Sequence, residues 1–179
     1  MRFQLGGNDA AVALAEAVAG DESAFVVMMN KEAERMGLKS TRFANPHGLP
    51  SPDNFTTARD LSILAKHVIL EFPQYYKIDS VKSFTYNKIT QQNRNRLLWL
   101  DPTVDGMKTG HTESAGYCMV ASAKRPNGNL ERRLISVVMG STYVASANSG
   151  SVMIVAGLLL TRTTRRPSSR STRHAWVPE

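Results

Sequence analysis

The spacing of apolar residues in the first part of the chain predicts two consecutive helices. An alanine-rich stretch ends at Gly20, and Asn8 or Asp9 can cap its first turn. A second helix is indicated from 23 to 36, where apolar residues recur at helical spacing and Gly37 is placed to end the element. The apolar face of this second helix, which we expect to lie in the core, consists of Phe25, Met28, Met29, Ala33 and Met36.

A third helix is predicted between Thr57 and Pro73. Thr56 or Thr57 can cap its start, and the helix should end before Pro73 because the residue before a proline disfavours helical backbone. The twenty residues that precede it are rich in proline, asparagine, serine and glycine, which indicates an ordered loop or a pair of turns. The apolar face of the third helix consists of Leu61, Leu64, Ala65, Val68 and Ile69.

Beyond Lys82 the pattern changes to that of strands. A short run at 83–86 is followed by two longer apolar runs, at 115–124 and 131–140. The sequence Pro-Asn-Gly-Asn separates the two longer runs and is typical of a tight turn. We therefore expect these runs to pair as an antiparallel hairpin that follows the three helices.

Length and composition indicate one folded domain followed by a different kind of tail. The 179 residues are 42% hydrophobic, which is enough for one core. The longest apolar run, Val152 to Leu160, is far shorter than the about 20 residues that span a bilayer. The first residues lack the pattern of a signal peptide. We assign residues 1–140 to the domain and residues 141–179 to an Arg/Ser/Thr-rich tail that we expect to be disordered.

The positive charge does not indicate a nucleic-acid partner. The tail has five arginines against one glutamate, which leaves +3 of the total net charge of +7 to residues 1–140. The arginines are not interleaved with aromatic residues, and no nucleic-acid-binding motif accompanies them. No nucleic acid is therefore predicted as a partner.

The cysteine and the histidines do not form a pattern that binds a metal. Cys118 lies in an apolar run and is predicted to be a buried strand thiol. His47 is expected to form a hydrogen bond with the backbone of its loop. His67 is predicted to lie on the third helix with no carboxylate or second histidine at a ligand spacing. Neither a metal nor a cofactor is predicted.

A Lys-Thr-Gly sequence at 108–110 is the most specific motif of the chain. Lys-Thr-Gly is one of three short motifs that together build a penicillin-sensitive serine active site. The stretches that accompany it, in order, are Gly7-Asn8-Asp9-Ala10, Phe43-Ala44-Asn45-Pro46-His47-Gly48-Leu49, Thr57-Ala58-Arg59-Asp60-Leu61, Gln92-Asn93-Arg94-Asn95 with Leu97-Leu98-Trp99, Ala115-Gly116-Tyr117 and Val137-Val138-Met139-Gly140. Over residues 4–140 the chain resembles the low-molecular-weight penicillin-binding proteins, the serine-type D-alanyl-D-alanine carboxypeptidases.

This resemblance implies a fold and a reaction. The implied fold is α/β (α+β), part of a β-lactamase/transpeptidase-like domain in which helices flank an antiparallel sheet. The implied activity removes the terminal D-alanine of peptidoglycan stem peptides through an acyl-enzyme. The implied partners are stem peptides ending in D-Ala-D-Ala and β-lactam antibiotics. The implied location of the intact enzyme is the periplasm or the outer face of the bacterial inner membrane.

The resemblance also implies roles for individual residues. Lys108 and Thr109 would bind the terminal carboxylate of the substrate, with Arg94 assisting. Gly110 would let the substrate backbone approach and pair with the strand. The backbone N–H of His111 would contribute to the oxyanion hole, with no role for its imidazole.

Two departures from the family pattern affect the chemistry. The family's Ser-x-Asn motif corresponds to Gly6-Gly7-Asn8, so the catalytic asparagine is present as Asn8 but the serine is replaced by Gly6. The 179 residues contain no Ser-x-x-Lys, the motif that supplies the nucleophile. We therefore expect a family fragment that is inactive alone. The alternatives are a β-lactamase relative and a non-catalytic binder of stem peptides.

Overall fold

The long helices of the described chain lie in its first half. The computed structural model describes residues 7–128 and 130–142 and the backbone of 160–162. None of the helices in this part of the chain is long and apolar enough to cross a membrane. The helical elements are α1 (Asn8–Ala19), α2 (Glu22–Arg35), α3 (Ala58–Glu71), α4 (Pro73–Tyr76), a 3₁₀ turn (Lys77–Ser80) and α5 (Leu97–Leu100).

The start of α1 differs from the sequence prediction. Gly7 is the N-cap, without a side-chain cap, while Asn8 and Asp9 lie inside the first turn. The predicted cap is therefore wrong, because the helix begins before the alanine-rich stretch. The predicted end is confirmed, since Gly20 follows the last helical residue with a φ of 89°. That left-handed conformation is one that glycine adopts without strain.

Helix α2 begins and ends one residue before its predicted bounds, and its predicted core face is only partly buried. The Asp21 side chain accepts a hydrogen bond from the Ala24 N–H at 2.8 Å and caps the helix, and Gly37 follows its end with a φ of 73°. Ala33 is buried, but Met28 is 49% exposed and Met29 is half-buried. The core assignment of Met28 is wrong, because among the described elements α2 packs mainly on α1.

Helix α3 forms the main core with the sheet. Thr57 caps it, as predicted, by accepting a hydrogen bond from the Asp60 N–H at 3.2 Å. Its face contributes Ala65 and Ile69, which pack against two residues of the sheet. The buried cluster consists of Ala65, Ile69, Tyr76, Ile135 and Val137. The predicted apolar face of α3 is thus the face that packs on the sheet.

The strands form two separate antiparallel sheets. The longer sheet has the order β3-β4-β5-β6, and the predicted hairpin of two long runs is confirmed as β4 and β5. The predicted tail at 141–179 lies mostly outside the described residues. The strands are β1 (Ser83–Tyr86), β2 (Ile89–Gln92), β3 (Val104–Thr112), β4 (Gly116–Asn127), β5 (Leu130–Ser141) and β6 (Leu160–Arg162).

A bulge near the start of β3 places an acidic residue on the α3 side of the sheet. Val104 pairs with Ala123 and Gly106 pairs with Ser122, so Asp105 is an additional residue in β3. A Cβ on Gly106 would lie 2.7 Å from the Tyr76 hydroxyl. A residue larger than glycine at 106 would therefore displace the tyrosine.

The Asp105 carboxylate is the centre of a polar cluster between β3, β4, β5 and α4. It accepts hydrogen bonds from Tyr76 at 2.7 Å, Ser122 at 2.8 Å and Arg133 at 2.6 Å. The Arg133 guanidinium also lies over the Tyr76 ring, 5.4 Å from its centroid. Burial raises the pKa of Tyr76 well above its ordinary value. The tyrosine is thus held as a neutral hydrogen-bond donor in the core.

The position of Asp60 near the start of α3 has a second explanation that the sequence did not reveal. Asp60 lies in the first turn of α3, where a negative charge is favourable, yet the residue is only 4% exposed. Its Oδ2 accepts from the Ser40 N–H and from the Thr41 hydroxyl, each at 2.8 Å. Asp60 therefore anchors the segment that follows α2 to the start of α3.

Replacing this anchor should destabilise the fold moderately. Asp60→Ala is expected to lower the free energy of unfolding by about 2 kcal/mol, because two donors lose a charged acceptor. Urea denaturation followed by circular dichroism measures the effect. Asp53→Ala, at an exposed loop position, is the matched control and should change stability by less than about 0.5 kcal/mol. Equal midpoints for the two variants would contradict the anchoring role.

Candidate active site

The Lys-Thr-Gly sequence lies within β3, an edge strand of the described sheet. Strand β4 pairs with one side of β3, and no described strand pairs with the other. Lys108 is opposite Val120 and Gly110 is opposite Cys118, so these residues share the face of the sheet on which α3 packs. The strand therefore combines an open backbone edge with polar side chains on one face.

Gly110 is not required by the packing of the described residues. A Cβ built at this position would meet no atom within 4 Å, in contrast to Gly106, which is confined by Tyr76. Gly110 also has no positive φ that would favour glycine. The open space beside it leaves the backbone of β3 accessible to another extended chain.

Lys108 is the central cation of the site. Its ammonium donates a hydrogen bond to the Thr109 carbonyl while the side chain keeps an exposed surface. Desolvation by the surrounding protein and the nearby charge of Arg94 lower the pKa of Lys108, whereas Asp79 acts in the opposite direction. The charge of Arg94 therefore acts on Lys108, and joint binding of a carboxylate by the two side chains stays a prediction.

Two asparagines fix the turn that contains Arg94. The Asn93 side chain donates to the carbonyls of Asp79 at 3.2 Å and Val81 at 3.1 Å. The Asn95 side chain is fully buried and donates to the Gly106 carbonyl of β3 at 2.9 Å. Arg94 lies between these anchors and is exposed. Its backbone is held against β3, while its guanidinium forms no hydrogen bond or ion pair with the residues that the structure describes.

A cavity of about 930 Å³ opens beside the Lys-Thr-Gly strand. Lys108, Thr112 and Cys118 line one wall, and the loop that joins α2 to α3 lines another. Cys118 is half-buried rather than buried, because the sheet face at this position borders the cavity. The predicted buried thiol is therefore only partly covered. Asn8 is half-buried at the start of α1 and is not part of this lining.

Comparisons with known proteins agree with this geometry. The family model described as D-alanyl-D-alanine carboxypeptidase, peptidase S11, matches residues 5–143. The chain belongs to this family. The D-alanyl-D-alanine carboxypeptidase DacA of Haemophilus influenzae is 56% identical over 136 residues, which are 75% of this chain and 34% of that protein. The chain thus spans about a third of the length of this curated relative.

Solved structures of the family have the same fold as this chain. Penicillin-binding protein 5 from Haemophilus influenzae gives a TM-score of 0.76 at 51% identity, over 81% of this chain and 42% of that one. Penicillin-binding protein D2 from Listeria monocytogenes, in its cefotaxime-bound form, gives a TM-score of 0.72 at 29% identity, over 82% of this chain and 59% of that one. The predicted family and its α/β transpeptidase-like fold are confirmed.

Two of the histidines have local hydrogen-bond partners. The Leu49 N–H donates to His47 Nδ1 at 3.1 Å, which confirms the expected hydrogen bond with the loop backbone. His67 Nδ1 lies 2.5 Å from Glu71 Oε1, so the assignment of no carboxylate at a ligand spacing was wrong. Within the described residues no group of three potential metal ligands occurs. The His111 ring packs on the Tyr117 ring, with centroids 4.0 Å apart. This contact involves only the side chains, so the role of the His111 backbone N–H in the oxyanion hole stays a prediction.

Sequence reasoning missed two residues of this site. Asp79 was not singled out, because nothing in the sequence places the 3₁₀ turn against β3. Asn95 was noted only as part of a motif around Arg94. Its signal was an amide residue two positions before the short apolar run 97–100, since a buried amide must find hydrogen-bond partners.

Proposed function

We propose that the protein to which these residues belong is a serine-type carboxypeptidase that removes the terminal D-alanine of peptidoglycan stem peptides. The observation that supports this proposal is the Lys-Thr-Gly sequence on an open edge strand, with the charge of Arg94 acting on Lys108. A carboxypeptidase must hold the free carboxylate at the end of its substrate. Two adjacent cations beside an accessible backbone edge provide that function.

Binding of the substrate follows from the chemistry of the strand. The Lys108 ammonium and the Arg94 guanidinium supply charge-assisted donors for the terminal carboxylate, and Thr109 adds a hydroxyl. The backbone of the stem peptide adds to the free edge of β3 beside Gly110, where no side chain obstructs it. The peptide is thereby held along the strand with its last residue near the two cations.

The acyl transfer step needs a nucleophile in addition to these groups. A serine oxygen attacks the carbonyl of the penultimate D-alanine, the bond to the last D-alanine breaks, and water then hydrolyses the acyl-enzyme. The backbone N–H of His111 would stabilise the oxyanion, a contribution of about 2.7–4 kcal/mol for each such donor. Asn8 would contact the lysine of the Ser-x-x-Lys motif and the substrate amide.

The 179 residues supply the binding groups of this reaction but no Ser-x-x-Lys. For the chain by itself, the second candidate function is therefore non-catalytic binding of stem peptides. For the whole enzyme we propose β-lactams as inhibitors, by analogy with the cefotaxime-bound Listeria protein. We propose the periplasm or the outer face of the inner membrane as its location, where stem peptides occur.

A stem-peptide analogue should bind the chain weakly at β3. Titration with a D-Ala-D-Ala peptide, followed by amide NMR, is expected to shift residues 107–112 with a dissociation constant of about 1 mM, or about −4 kcal/mol. The affinity is weak because a shallow open site desolvates the ligand poorly. The same peptide with an amidated C-terminus should produce no shifts.

Two variants make this experiment decisive. Lys108→Gln should abolish the shifts, because the main cation is removed. Lys124→Gln, which removes an exposed lysine from β4, is the matched control and should leave binding unchanged. Spectra that do not change at high millimolar peptide, or equal effects of both variants, would refute the proposed carboxylate site.

A further inference from the structure

The hairpin of β1 and β2 projects from the rest of the described structure. Among the described elements the two strands pack mainly on each other, and every residue of both strands is exposed. A two-stranded hairpin is only marginally stable in water unless something packs on one of its faces. A surface that covers one face of this hairpin would therefore stabilise it.

The register of the strands gives this hairpin one apolar and one polar face. Tyr86 is opposite Ile89, and Phe84 lies two residues before Tyr86, so these three side chains share a face. The other face carries Thr85 and Thr90, whose hydroxyl oxygens are 2.8 Å apart. The apolar face is open to solvent, since Tyr86 is 69% exposed and Ile89 is 61% exposed.

The segment that contains the hairpin carries only positive charge. Residues 80–100 include two lysines and two arginines but no aspartate or glutamate. Lys82 precedes β1 and Lys88 lies in the turn, and both are exposed. Neither of these side chains forms a hydrogen bond or an ion pair with the residues that the structure describes. An apolar face flanked by such cations complements a surface that is both apolar and anionic.

The turn of the hairpin contains a lysine where glycine is the favoured residue. Asn87 and Lys88 connect Tyr86 to Ile89 with positive φ values of 47° and 63°. Such a two-residue turn favours Asn-Gly, because a residue with a Cβ is strained in the left-handed conformation. Lys88 therefore costs conformational energy, and it puts a cation directly beside the most exposed part of the apolar face.

We propose that the β1–β2 hairpin is a membrane-contact element that docks its apolar face on an anionic phospholipid bilayer. Tyr86 and Ile89 enter the boundary between headgroups and acyl chains, where the amphipathic tyrosine ring is favoured. Lys82 and Lys88 stay at the lipid phosphates. Four residues of strand are only about 13 Å long, so the contact is shallow and reversible. A second copy would bring the same cations together, so the charges favour the bilayer over self-association.

Quenching by brominated lipid tests whether the apolar face enters the bilayer. Tyr86→Trp adds a fluorophore on that face, and Thr85→Trp adds one on the polar face as the matched control. The full chain is mixed with vesicles of equal parts phosphatidylglycerol and phosphatidylcholine that carry bromine on their acyl chains. After subtraction of the signal of the two native tryptophans, we expect quenching of the added tryptophan in Tyr86→Trp and none in Thr85→Trp.

Sedimentation with unlabelled vesicles of the same composition measures the contribution of the cations. Lys82→Gln combined with Lys88→Gln should weaken binding about 25-fold, because each lysine near an anionic bilayer contributes about fivefold. Lys31→Gln combined with Lys39→Gln removes the same charge from exposed positions elsewhere and should change binding by less than about twofold. Lys88→Gly alone should weaken binding about fivefold without lowering the melting temperature, because glycine relieves the strained turn.

Quenching confined to Tyr86→Trp, together with a selective loss of binding in the hairpin lysine variants, supports the proposal. Equal losses for the two lysine pairs overturn it and assign lipid binding to overall charge, which includes the arginines of residues 141–179. Equal quenching of the two tryptophan variants, or none in either, also overturns it. If the chain binds no vesicles but forms a dimer that Tyr86→Ser with Ile89→Ser abolishes in analytical ultracentrifugation, the face is an interface between copies and the proposal is wrong.

Discussion

Asp105→Ala is expected to lower the free energy of unfolding by about 3–4 kcal/mol. The substitution removes the acceptor shared by Tyr76, Ser122 and Arg133, two of which are buried. The Arg133 side chain is only 12% exposed, and a cation left without its partner in such a place is strongly destabilising. The cluster also lies between α4 and three strands, so the loss affects the main core.

Chemical denaturation of single and double variants tests this estimate. Asp105→Ala combined with Arg133→Met should be less destabilising than the sum of the two single changes, because the unpaired cation is absent. Glu113→Ala, at an exposed position between β3 and β4, serves as the control and should have little effect. Additive losses in the double variant would show that the ion pair does not act as a unit.

The 179-residue chain is expected to form no stable adduct with a fluorescent penicillin. Acylation requires a serine that is activated by an adjacent base and aligned with an oxyanion hole. None of the serines begins a Ser-x-x-Lys, and the serine position of the Ser-x-Asn motif is Gly6. Loss of a positioned nucleophile removes nearly all of the catalysis of such a site, whatever binding groups remain.

A denaturing gel after incubation with the labelled penicillin gives the answer. A full-length relative such as the Haemophilus influenzae carboxypeptidase is the positive control and should give a stoichiometric band. The chain should give none, including at long incubation times. A labelled band that mass spectrometry assigns to one serine would show that the chain contains a nucleophile that its motifs do not reveal.

The elements whose signals are local could be predicted from the sequence. Thr57 and Gly37 mark helix ends because a cap or a left-handed residue acts within one turn. The hairpin of β4 and β5 could be predicted in the same way, because two apolar runs flank a turn sequence. Asn8 shows the limit of such signals. Several polar residues can cap a helix, and the actual start was one residue away.

The contacts that define the site could not be predicted in the same way. Met28 has the spacing of a core residue, yet its burial depends on what packs against α2. Aspartate is usually exposed, so nothing in the sequence marks Asp60 or Asp79, each of which interacts with residues at least 19 positions away. The Lys-Thr-Gly motif was found only because a family resemblance gave it a role. Asp79 lies outside these motifs, so only the structure could reveal its position.

The edge of β3 with which no described strand pairs also bears on self-association. An edge strand with unpaired backbone groups can accept the same strand of a second copy as readily as it accepts a peptide. Natural proteins often limit such pairing with a lysine on the edge, and Lys108 occupies that position in β3. Two copies joined through β3 would bring like charges onto one face. Lys108 therefore opposes edge-to-edge aggregation, and its removal also weakens a barrier against insoluble assemblies.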